Sequence, residues 1–342
     1  MLEFKVHFTK TANLFHFVSN LTEWHFSCRK NYNKIWLEKT GALSDKERQA
    51  LKRLAKLLIK YHFSSGQKGP DDPSRFLGIP FTVYSDDDVW EKVEGWVEPE
   101  EFLVLKDVFE IFGPRFEKLW VEEEPKLISW KTTLVEELAK KKYNGLEKDL
   151  ETFFNQKPKF SNIDVRLLIN TTGIGGGANS GPGRVTLECT ALPTKAVSDV
   201  LNVLYHEATH LIFEDGYYQN LLEQFLQAIK DKYSEKHTFF ESGRALRVII
   251  NEAAMNSLLP EGYLAHKYFG SDIFKRVEKV LGKNFEKVVK GKEDDFGAYR
   301  LFAAAKLFPM AKEYIENKKL VDRTYLQKVW EVFEEFSEKI RP

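Results

Sequence analysis

The sequence predicts a mostly helical α+β fold with one small sheet, and three observations lead there. Apolar residues recur at helical spacing through most of the chain, with Lys, Arg and Glu between them. Two short segments, IDVRLLIN at 163–170 and RVTLECT at 184–190, are rich instead in β-branched and aliphatic residues, as buried strands are. Aromatic residues reach 14% of the chain and include 27 Phe, enough for dense cores although 30% of residues are charged.

Taken in order, the chain opens on Leu2, Phe4, Val6 and Phe8, whose alternation suits a strand. Ser44 and Glu47 make a capping-box pair ahead of Leu51, Leu54, Leu57 and Leu58, so a helix is expected from there to about Phe63. Residues 64–80 hold three Gly and three Pro and read as a loop. Two further helices are expected, at 99–112 with Pro99 in the first turn and at 127–142. The texture changes near Phe160, where the two strand-like segments begin a sheet. They are joined by the glycine-rich GIGGGANSGPG, expected to be a hairpin or a loop at the rim of a cleft. Pro193 leads into a long apolar helix stopped by Gly216, and helices at 219–232, at 239–259 ahead of Pro260 and at 296–315 follow. At 342 residues the chain exceeds the usual single domain. A mainly helical domain at 1–157, without an assigned role, is expected to precede a second at 158–342. In the second, the sheet and the long apolar helix occupy 158–216 and a helical subdomain 217–342.

Lys+Arg and Asp+Glu both number 51, so no net field draws the chain onto nucleic acid or an acidic membrane, and neither is expected as a partner. Only Cys28 and Cys189 occur, too few for a disulfide framework or a cysteine zinc ribbon, and they read as reduced thiols. The opening MLEFKVHFTK has no apolar signal core, and no run of about 18 apolar residues occurs anywhere, so a soluble cytoplasmic protein is expected. The GxG of the glycine-rich segment makes no dinucleotide site, because Pro182 and the neighbouring glycines prevent a direct opening into a helix.

The long apolar helix contains HEATH, His206 to His210, an HExxH string. Two imidazoles four residues apart share one helix face and can grip one metal ion. Zinc held by two His and one carboxylate keeps a fourth position for water and lowers its pKa toward ~7, and Glu207 is then the base for that water. Val200, Val203, Leu204, Leu211 and Ile212 surround the motif, and a helix this apolar needs a reason to carry two His and a Glu on one stripe. The competing explanation is that His206 and His210 are core histidines with backbone or carboxylate partners. For the third ligand Glu252, in NEAAMN, is preferred: amid Val248, Ile249, Ile250 and Met255, its carboxylate would be costly unless paired or metal-bound. Glu214, one turn after His210, and Glu241 are the alternatives, and an ion pair with Arg244 or Arg247 is the non-metal reading of Glu252.

With HExxH on one helix and a Glu on a later one, residues 163–259 resemble the gluzincin clan of metallopeptidases, typified by thermolysin and the alanyl- and leukotriene-type aminopeptidases. In thermolysin relatives the ligand Glu also follows an Asn, as Glu252 follows Asn251. The resemblance implies a zincin-like catalytic lobe of small sheet plus HExxH helix, flanked by helical N-terminal and C-terminal regions. It implies one Zn2+ per chain on His206, His210 and Glu252, Glu207 as general base, and a peptide or protein substrate. It implies an edge strand ahead of the HExxH helix that pairs with the substrate backbone, the place filled here by Arg184, Val185, Thr186 and Glu188. It also implies a Tyr or His that steadies the oxyanion, for which Tyr299 is preferred to Tyr263 and His266. Two features depart from the clan pattern. The helix at 219–232 separates the ligand helices, and Asn256 stands where thermolysin relatives carry Asp, an amide that can still accept an imidazole N–H. The Gly-x-Met-Glu-Asn element of the aminopeptidase branch is absent, leaving Glu188 as the candidate reader of a free N-terminus. The expectation is a zinc-dependent peptidase; the alternative is a non-catalytic zinc-binding or scaffold protein with a degenerate metallopeptidase fold.

Overall fold

The computed structural model describes residues 2–25, 28–61, 77–140, 143–158, 161–178, 183–213, 216–230, 238–239, 244–281 and 295–340. The chain divides into two compact units, each discontinuous in sequence: Phe4–Ala139 with Asn162–Val200, and Met1–Glu3 with Lys140–Ser161 and Leu201–Pro342. The expected single boundary after 157 is therefore replaced by several crossings. The reason is the sheet, which pairs the strands beyond 161 with the N-terminal strand.

The first unit opens with β1 (Glu3–His7), followed by α1 (Lys10–Leu21), α2 (Lys30–Thr40), α3 (Asp45–Lys60), the short α4 (Gly78–Val83) and α5 (Val89–Glu94), and α6 (Pro99–Leu138). In α3 the expected capping box forms, Ser44 accepting from the Glu47 N–H and Glu47 accepting from the Ser44 N–H. The helix ends at Lys60, and most of the expected loop at 64–80 lies outside the described residues, α4 beginning inside its last part. The helices expected at 99–112 and 127–142 are one continuous α6 of 40 residues. Its prolines, Pro114 and Pro125, lie on the exposed face, while Leu105, Val108, Phe112, Phe116, Leu119, Leu127, Trp130 and Leu134 keep a buried stripe running past both. The hydrogen bond lost at each Pro is thus outweighed by continuous burial. Arg115 ties α6 to the start of α3: its guanidinium grips both Glu47 oxygens, at 2.5 and 2.8 Å, and donates to the carbonyls of Thr40, Gly41 and Ala42.

The sheet of this unit adds β2 (Asn162–Leu168), β3 (Gly175–Ala178) and β4 (Arg184–Glu188), in the order β1-β2-β4-β3. β2 and β4 are parallel, with Val165 opposite Val185 and Leu167 opposite Leu187, and β3 runs antiparallel to β4. Of the two readings of the glycine-rich segment the hairpin is the one that forms: β3 turns back into β4, and β3 is one edge of the sheet. β4, expected at the edge, lies inside with a neighbour on each side.

The second unit contains α7 (Tyr143–Phe154), α8 (Val197–Phe213), which follows a 3₁₀ turn at Thr194–Ala196 and enters this unit at Leu201, and α9 (Gly216–Ile229). The expected helix from 239 is split: a hairpin of β5 (Thr238–Phe239) and β6 (Arg244–Ala245) precedes α10 (Leu246–Asn256). α11 (Tyr263–Phe269), α12 (Ile273–Leu281), α13 (Asp295–Glu316) and α14 (Arg323–Ile340) complete the unit. Its core is aromatic: Phe154 stacks on Phe213, Tyr143 on Tyr205, and Tyr299 packs edge-on against Phe333. No helix among the described residues is long and apolar enough to cross a membrane. Both cysteines are free, Cys189 being fully buried.

Candidate metal centre

α8 buries Leu201, Leu204, Tyr205, Ala208 and Ile212, so its backbone is fixed in the second unit and its other stripe, His206 and His210, turns toward α10. α10 buries Ile249, Ile250, Ala253 and Ala254, which leaves Glu252 on the face toward the two imidazoles. The Nε2 atoms of His206 and His210 are 3.1 Å apart, and the Glu252 carboxylate lies 3.4 Å from His210 Nε2 and 4.0 Å from His206 Nε2. Donors bound to one tetrahedral zinc-sized ion at about 2.0–2.1 Å sit roughly 3.3 Å from one another, close to these separations. The three residues offer ligand atoms that all lie within 4.8 Å of each other, so the group could hold a metal ion. Among the described residues it is the only such group; the alternative ligands Glu214 and Glu241 lie outside them.

The surroundings orient these donors. His206 Nδ1 is 2.8 Å from the Leu259 carbonyl, which fixes Nδ1 as the protonated nitrogen and leaves the Nε2 lone pair for the centre. Asn202 Nδ2 donates to the Pro260 carbonyl at 2.5 Å and so fastens that same turn to α8. Burial, and then the neighbouring His210, push the His206 pKa down to about 3, so the ring is neutral and ready to ligate at physiological pH. Asn256 donates to the Glu252 carboxylate at 3.2 Å and to its backbone carbonyl at 2.7 Å. Its amide thus holds the carboxylate ligand, where the sequence led to an imidazole partner. Glu207 follows His206 on α8 and is partly exposed.

Tyr299 is fully buried, its ring against Phe296, Phe333 and Phe336. The next residue on α13, about 100° further round the helix, is the one that reaches the cluster: Arg300 Nη1 is 3.9 Å from Glu252 Oε2. Nothing in the local pattern distinguishes the two, since both have apolar neighbours one turn away. Tyr263 donates to Glu316 at 2.7 Å, and His266 Nδ1 contacts the Ser271 carbonyl at 3.1 Å. Arg247, a suggested partner of Glu252, pairs with Glu223 instead.

The residues assigned to substrate belong to β4 in the first unit. With β2 and β3 on its two sides the strand has no open edge, so backbone pairing with a substrate is not available to Arg184, Val185, Thr186 and Glu188. Arg184 and Val185 are buried, and Thr186 donates to the Gly177 carbonyl at 3.2 Å. Glu188 accepts from the Tyr32 hydroxyl at 2.8 Å and faces Arg29 and His16, each at 3.8 Å. Its carboxylate lies over Gly175, where a Cβ would come within 2.3 Å of Oε2, so a larger residue at this position of β3 would push the Glu188 side chain aside.

Comparison with known protein families, with curated proteins and with solved structures finds no match to this chain.

Proposed function

We propose that the chain is a zinc-dependent metallopeptidase, with the gluzincin-type ligand set His206, His210 and Glu252 and with Glu207 as general base. The observation that carries this reading is the convergence of three oriented donors from α8 and α10. Among the described residues the set has three protein ligands, one fewer than a closed structural zinc site, which leaves a position for water or substrate. Zinc bound there supplies Lewis acidity, polarising a peptide carbonyl and lowering the pKa of water toward ~7. Glu207 takes a proton from the attacking water and returns it to the departing amine nitrogen. Arg300, cationic and partly exposed beside Glu252, meets the negative charge that develops on the carbonyl oxygen, the role first assigned to Tyr299. Asn256 and the Leu259 carbonyl keep Glu252 and His206 aligned while charge moves.

The test couples elemental analysis with peptide hydrolysis. Purified without added metal, the wild type is expected to carry close to one zinc per chain, and His206→Ala/His210→Ala none. Glu207→Gln is expected to keep its zinc and lose turnover on a mixed peptide library. Zinc-free wild type, or a Glu207→Gln protein as active as wild type, sinks the proposal. Full zinc without hydrolysis of any peptide leaves the ligand set standing and favours the non-catalytic zinc-binding alternative.

A further inference from the structure

A second site lies in the first unit. At the carboxyl ends of the parallel strands β2 and β4, the loops at 169–171 and 189–193 open beside α2 and α6, and a cavity of about 480 Å³ forms there. Crevices beyond the carboxyl ends of parallel strands are where open α/β sheets bind small ligands, and here Asn170 bonds to Thr190 and Ala191, so the two loops form one wall of the space. The wall includes Trp36, Lys39, Glu123, Lys126 and Thr171.

Two polar atoms in this wall lack a hydrogen-bond partner. Glu123 is 5% exposed; Lys126 holds its Oε1 at 2.7 Å, but its Oε2 is buried and unpartnered, and so is Thr171 Oγ1. A buried carboxylate oxygen without a donor is costly, and such atoms mark places where a ligand or water completes the bonding. Lys39 and Lys126 are each roughly half exposed, and each is tied by one contact to a glutamate, Lys39 to Glu122 at 2.6 Å. An ammonium has three donors and each of these uses one on its glutamate, so both retain donors for an incoming anion.

These charges select the ligand. A simple anion would meet the free Glu123 oxygen, and a simple cation would meet the two lysines. A zwitterion with its ammonium toward Glu123 and its carboxylate toward Lys39 and Lys126 satisfies both, with Trp36 and the adjoining Leu192 and Pro193 for an apolar side chain. We infer that this cavity binds a small zwitterion of the amino-acid class, a free amino acid or dipeptide. The inference is independent of the metal centre and stands or falls apart from it.

The test titrates the twenty free L-amino acids and dialanine into the full-length protein by calorimetry, then repeats the best binder with its N-acetyl and its amide derivative. The expected result is saturable binding of at least one zwitterion, with each blocked derivative weaker by roughly ten-fold or more, the loss of one charge-assisted hydrogen bond. Glu123→Gln and, separately, Lys126→Met are expected to weaken it similarly. Thr171→Val, which removes one hydroxyl from a partly exposed residue, is included in case Glu123→Gln impairs folding. Absence of binding by every probe overturns the inference, as does binding indifferent to blocking either end or to both Lys126→Met and Thr171→Val. The variants are also expected to retain wild-type zinc content, since none of these residues belongs to the metal cluster.

Discussion

At the residue scale the candidate centre depends on side chains that hold other side chains. Asn256 is the clearest case: 1% exposed, it donates to both the carboxylate and the carbonyl of Glu252. Asn256→Asp removes that donor and places a second negative charge beside the first. Metal affinity is expected to fall about 10- to 100-fold, the usual cost of losing a partner that orients a ligand, as read by competition with a chromogenic chelator. Unchanged or tighter binding would show that Glu252 needs no such support. Arg300 is separable from the ligands by its readout. Arg300→Gln is expected to lower kcat by about 100-fold with zinc content unchanged, whereas zinc loss on that substitution would make it a structural partner of Glu252 only. The histidine pair was legible in the sequence because its spacing follows from helix geometry, and Glu252 because a carboxylate among apolar neighbours needs a partner or a metal. Arg300 and the Asn256 contact were not, because choosing between adjacent residues on an apolar helix takes the packing of a second helix against it.

At the element scale, the joint between α3 and α6 turns on Glu47 and Arg115, both about nine-tenths buried. The Arg115 guanidinium, chiefly through its hydrogen bonds, holds the Glu47 carboxyl down at about 2, below the usual carboxylate range. A carboxylate pKa lowered by folding adds stability above its unfolded value, so this contribution is full above about pH 5 and disappears as the pH falls toward 2. Arg115→Met takes the guanidinium from Glu47, which keeps only its Ser44 donors, and from the carbonyls of Thr40, Gly41 and Ala42, and is expected to cost about 3 kcal/mol at neutral pH. Urea unfolding of both proteins should show that gap narrowing as the pH is lowered toward 3. A gap constant with pH would mean that the carboxylate contributes nothing beyond packing. The α3 boundary was readable from Ser44 and Glu47, whose capping chemistry is local. The continuity of α6 was not, because Pro114 and Pro125 are local stop signals overruled by a buried stripe that only the tertiary fold creates. At Gly175–Ala178 the sequence left hairpin and loop undecided for the opposite reason: glycines carry no side-chain alternation to read.

At the scale of the whole molecule, the balance of 51 basic and 51 acidic residues and the mostly helical α+β class carried over from sequence to structure, and the domain boundary did not. A strand pairing is non-local, so the change of texture near Phe160 marks where the strands begin but not that Asn162–Val200 joins the N-terminal helices in one unit. The division has a measurable consequence. His206, His210 and Glu252 all belong to the unit containing Leu201–Pro342, so a bound metal stabilises that unit directly, by an amount that grows with metal concentration over Kd. Hydrogen exchange with and without a chelator should therefore lose protection first in α8 and α10, whose amides sit beneath the ligands, while amides of α3 and α6 keep theirs. Equal loss across both sets would mean that the metal's stabilisation reaches the whole chain as one cooperative block, and loss in neither would mean that these three residues hold no ion in solution.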